Sequence, residues 1–90
     1  MRRDDSNPTD PEALALSALG WTLADEARAQ RLLDLTGLDP AALRAGLDEP
    51  GLLASVLAFL EAHEPDLLGA AEALGVSPEQ LVEARRRLEA

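Results

Sequence analysis

The single histidine, His63, sits in the run Glu61-Ala62-His63-Glu64-Pro65-Asp66. Three carboxylates around one imidazole are the residue types a metal site uses. Yet one nitrogen donor, no cysteine and no recognised ligand spacing make a poor ligand set for zinc or its neighbours. The run reads instead as the end of one helix and the start of the next. An imidazole there stabilises carbonyl ends, and acids open the following first turn. Nucleophilic chemistry fares no better. Ser6, Ser17, Ser55 and Ser77 have no second histidine, cysteine or lysine in the chain to activate them. The adjacent pair Asp48-Glu49 falls in an expected turn, where solvation keeps carboxylates ordinary. No glycine-rich phosphate loop is present, so the residues predict neither catalysis nor a cofactor.

Residues 70–88, AAEALGVSPEQLVEARRRL, hold the most suggestive spacing. Small Ala71, turn Gly75 and apolar Leu81 form the skeleton of a helix-turn-helix, and Arg85, Arg86 and Arg87 follow. That skeleton is first a packing rule. DNA reading also needs a recognition helix whose N-terminal end suits the major groove. Here that end reads Ser77-Pro78-Glu79-Gln80. Gln80 could pair with adenine, but Glu79 would meet phosphate with the wrong sign. The arginines lie at the far end, where cations complement the helix dipole in any case. Glu83 precedes Arg86 by three and Arg87 by four, the favourable order for surface pairs. Even residues 64–90 carry six acids against three arginines.

Charge over the whole chain points the same way. Seventeen acids against eight arginines give a net charge of −9, which repels phosphate backbones and favours basic or neutral partners. Hydrophobic residues make up 47% of the 90 residues and aromatics only 2%, so leucine (19) and alanine (17) must build the core. Both favour helices over strands. The absence of cysteine excludes disulfides and fits a reducing compartment. The segment MRRDDSNPTD has no apolar stretch behind its arginines, unlike a secretory signal. The greasiest run, GLLASVLAFL (51–60), is about half the length that spans a bilayer. A soluble, cytoplasmic protein is the expectation.

The elements follow from punctuation. Asp10-Pro11, Asp39-Pro40, Glu49-Pro50, Glu64-Pro65 and Ser77-Pro78 each place proline at a first helical position, where its missing N–H costs nothing. Asp and Ser before it can cap; at Glu49 the neighbouring Asp48 could serve instead. A sixth start falls at Asp25. Gly37 and Gly75 stand where helices should end. Six helices are predicted: 11–23, 26–36, 40–47, 50–62, 65–74 and 78–89. Residues 1–9 read as a disordered tail and 10–90 as one helical domain.

Leu53, Val56, Leu57 and Leu60 mark one face of the fourth helix, widened by Leu52 and Phe59, which places that helix at the centre. In the first helix Leu16, Leu19 and Leu23 align, with Leu14 and Trp21 nearby. Gly20 inside that helix predicts a close backbone approach. Arg28 with Asp25, Arg31 with Asp34 and Arg44 with Asp48 read as a solvated face. The pattern Gly–apolar–cap–Pro–x–x–Leu occurs at Gly37–Leu43 and again 38 residues later at Gly75–Leu81. A common helix corner and an ancestral duplication both produce such an echo.

Residues 11–16 (PEALAL), 32–38 (LLDLTGL), 56–60 (VLAFL) and 64–68 (EPDLL) together resemble, over residues 11–88, a family of short alphaproteobacterial proteins of unknown function. The resemblance implies an all-helical bacterial cytoplasmic protein, and it carries no activity, cofactor or catalytic residue onto any position.

The fold expected is therefore all-α, a compact orthogonal bundle of five or six short helices with helix-turn-helix-like corners. The function expected is a non-catalytic interaction or regulatory module acting on a protein partner or a second copy. Trp21, Arg85, Arg86 and Arg87 are the candidate contacts. A helix-turn-helix regulator using residues 67–89 and an acidic mimic of nucleic acid are the alternatives.

Overall fold

The computed structural model describes residues 10–90, so the expectation of a disordered tail at 1–9 lies outside the described residues. Six helices run in order: α1 Pro11–Leu23, α2 Glu26–Thr36, α3 Pro40–Ala45, α4 Pro50–Glu61, α5 Glu64–Leu74 and α6 Pro78–Glu89. No strand occurs among the described residues. The chain is an all-α bundle with a radius of gyration of 12.3 Å, close to the ~12 Å expected of a compact chain this long.

Each helix start has a local cause. Asp10 accepts from the Ala13 N–H at 2.9 Å, Asp25 from Arg28 at 3.0 Å and Asp39 from Ala42 at 2.7 Å. These bonds satisfy donors that the first helical turn leaves orphaned. Ser77 and Gln80 form a reciprocal capping box, with Gln80 N–H donating to Ser77 Oγ and Ser77 N–H donating to Gln80 Oε1. Two starts lack a side-chain cap. Glu49 makes none for α4, and Asp48 does not take its place. His63 is the N-cap of α5, which begins at Glu64 rather than Pro65, and its imidazole makes no cap bond.

Gly37 (φ 73°) and Gly75 (φ 72°) end α2 and α5 in the left-handed conformation that glycine adopts without a Cβ penalty. The two corners differ in their bonding. After α5 the Val76 N–H reaches back to the Ala71 carbonyl, whereas after α2 the Leu38 N–H goes to the Thr36 hydroxyl.

Helix α4 is the axis of the bundle. Leu53, Val56, Leu57, Phe59 and Leu60 are all buried, and α1, α2, α5 and α6 all pack against it. Helix α6 lies across α1 and α4 and seats Leu81 and Ala84 between them. The buried face of α1 is not the one its leucine spacing suggests. Leu14, Ala15, Ala18, Leu19 and Thr22 face inward, while Leu16 and Leu23 are exposed. Alanines at the contact let the backbones approach, so the stripe centres on small residues instead of large ones. Thr22, fully buried, spends its hydroxyl on the Ala18 carbonyl at 2.8 Å. The six-residue α3 ends at Ala45, two residues short of its predicted end, and it packs least against the other helices.

Candidate functional site

Trp21 is half-buried against the core. Its ring lies beside Gly69, and the Arg28 guanidinium stacks over its face at 3.6 Å from the ring centroid. The same guanidinium donates to the Trp21 carbonyl at 2.6 Å. The indole is thus a lid that binds helix α2 to α1 and α5. The Arg28 side chain does not pair with Asp25; only its backbone N–H does, as the helix cap.

The three arginines of α6 do not act as one patch. Arg85 turns inward and joins α6 to α4 through the Glu61 carboxylate, with Glu89 as a second acceptor at 2.8 Å. Its hydrogen bond to Glu61, then that to Glu89, raises its pKa above the ordinary arginine value. A raised base contributes stability below its unfolded pKa and loses it only as pH climbs past the folded one. For arginine that window lies beyond any physiological pH. Arg86 is exposed and faces Glu83 at 3.9 Å, a pair of small value. Arg87 is exposed beside it.

The remaining ion pairing crosses elements more than the sequence suggests. Arg31 pairs with Asp66 of α5 at 2.9 Å rather than with Asp34, and it lies 5.7 Å from the Phe59 ring centroid. Asp34 accepts from Gln30 instead. Among the described residues Arg44 and Asp48 form no pair. Gly20 has no neighbour within 4 Å, so the expected close approach is absent there. The tight glycines are Gly69, against Trp21, and Gly46, against Leu52.

Two apolar clefts flank the α2–α3 corner, and no spacing in the chain announces either. The larger, about 570 Å³, runs between the end of α2 and the outer face of α4, with Leu35, Leu38, Leu52, Ser55, Ala58 and Phe59 along it. Leu35 at its edge is 71% exposed, the most exposed large apolar side chain among the described residues. The hydroxyls in the cleft are already used. Thr36 donates to the Leu32 carbonyl at 2.8 Å and Ser55 to the Gly51 carbonyl at 3.0 Å. The smaller cleft, about 280 Å³, lies under α3, between Leu19, Leu23, Leu33, Leu43 and Leu47, with Arg44 at its edge. The smaller cleft is bounded on one side by α3 itself, through Pro40, Leu43 and Arg44, whereas the larger is formed by α2, the turn after it and α4 alone. No described helix is long and apolar enough to cross a membrane.

Such surfaces can hold apolar side chains. No curated protein and no solved structure matches the chain. Residues 8–90 match the family described as "Protein of unknown function (DUF3572)", and the chain belongs to that family.

Proposed function

We propose that the protein is a non-catalytic interaction module whose contact surface is the α2–α4 cleft. The observation that carries this reading is Leu35, 71% exposed at the edge of an apolar cleft that no part of the described chain fills. Contiguous apolar surface of this kind, rimmed by polar residues, marks interaction sites in soluble domains. The reading moves the contact away from Trp21 and Arg85, which are committed to intramolecular partners. It also stands against a DNA-reading role for α6. Gln80, the one residue placed to read a base, is held in the capping box at both its backbone and its side chain.

A photo-crosslinking residue placed at Leu35, and at Ala73, exposed on α5, as control, tests the reading in cells making the protein. A discrete adduct is expected from position 35 and not from position 73, and Leu52→Ser should suppress it. Equal labelling at both positions, or none at 35, overturns the assignment of this surface.

A further inference from the structure

The chemistry of the cleft selects its occupant. The Thr36 and Ser55 hydroxyls are turned to their own backbone, and the side chains that line the cleft are otherwise leucine, alanine and phenylalanine. The chain leading into the cleft at either end is anionic. Asp34 and Asp39 share a hollow with Leu38 at the α2–α3 turn. One oxygen of Asp34 accepts from Gln30 and one of Asp39 caps α3, and each carboxylate keeps its charge and its second oxygen. Asp48 and Glu49 precede Gly51 at the other end, where Glu49 is not spent as a cap. All four carboxylates are on exposed residues. Arg31, which approaches the Phe59 ring, is held by Asp66. The smaller cleft differs by carrying Arg44 on its edge.

We propose that the α2–α4 cleft receives a basic amphipathic helix from another protein. Its apolar side chains at i, i+4 and i+7 would pack on Leu35, Leu38, Leu52 and Phe59, and its flanking lysines or arginines would reach the four carboxylates. The inference rests on the reading that this surface docks a protein. A second copy is the poorer occupant. A two-fold interface sets each patch against its own image, so the same four carboxylates would face each other, and each chain carries −9 overall.

Three synthetic helices sharing one leucine face but bordered by lysine, glutamine or glutamate test the proposal against the full-length isotope-labelled chain by NMR titration. The leucine–lysine helix should shift the amides of 34–39 and 51–59 and bind on the order of tenfold more tightly than the leucine–glutamine helix. That advantage should shrink at about 0.5 M salt and in the Asp34→Asn, Asp48→Asn double variant. Leu35→Ser should weaken both helices without changing the advantage. Equal binding of the leucine–glutamate helix at the cleft overturns the basic partner while leaving the docking reading intact. Shifts spread over the whole molecule, or unchanged in Leu35→Ser, overturn the site. So do concentration-dependent shifts of the cleft without peptide, the mark of a second copy, and contacts from residues 1–9 to Leu52 or Phe59. A crosslink at Leu35 combined with no peptide binding sinks this inference alone; no crosslink sinks the reading beneath it.

Discussion

A Cβ built on Gly69 would lie 2.9 Å from Trp21 Cζ2, closer than real contacts allow, and 3.2 Å from Cη2. The ring has little room to yield, because Arg28 covers its face and is itself anchored on the Trp21 carbonyl. Gly20 is the opposite case, a helical glycine with open space around it. From sequence the two look alike, each a glycine inside an apolar helix. Which one is approached depends on how α5 is rotated against α1, and no local pattern encodes that rotation. The difference is measurable. Gly69→Val should destabilise the fold by about 1–2 kcal/mol through overpacking, and Trp21 emission should shift to longer wavelength as the ring is pushed outward. Gly20→Ala should stabilise by about 0.5–1 kcal/mol, since only helix propensity changes. Urea denaturation of both variants reads the two signs; a stabilised Gly69→Val would mean the ring swings freely.

Helices were legible where punctuation was local. Proline after a capping residue, glycine at a left-handed end and the leucine stripe of α4 all act within one or two turns, and α1, α2 and α6 begin and end where these signals place them. The long-range choices were not. Leu16 and Leu23 share a face with Leu19 by spacing, yet Ala15 and Ala18 win the interface because α4 and α6 come close there. Arg31 crosses to Asp66, 35 residues away, past an acid three residues along its own helix. The end of α3 was also misjudged, because the apolar pattern through Leu47 runs two residues past Ala45, where the helix stops. Caps offer a test at this scale, because the structure separates bonded ones from empty ones. Ser77→Ala removes the box at α6 and should cost about 1 kcal/mol, or roughly 4–8 °C in melting temperature for a domain this size. Glu49→Ser gives α4 the side-chain cap it lacks and should add about 0.5–1 kcal/mol. If both substitutions are silent, the helix ends are held by tertiary packing rather than by their caps.

A chain of 90 residues has a thin core, and this one also carries a charge of −9 within a radius of gyration of 12.3 Å. At low ionic strength the screening length exceeds that radius, so every carboxylate feels the others. Arginines neutralise some of them locally: Arg31 at Asp66, Arg85 at Glu61 and Glu89, and Arg86 weakly at Glu83. Salt therefore has two opposed effects. It weakens these pairs, of which the exposed ones are worth no more than ~1 kcal/mol each, and it relieves a self-repulsion that disfavours the compact state. With acids outnumbering arginines two to one, repulsion outweighs the pairs. The melting temperature should rise by a few degrees between about 0.01 M and 0.5 M sodium chloride. Chloride is the right anion because sulfate would also strengthen apolar burial and blur the cause. Glu61→Gln should keep the rise, since losing its pair with Arg85 also removes one negative charge. A fall in melting temperature with salt would show instead that the interhelical pairs through Asp66 and Glu61, and not the leucine core, set the stability margin.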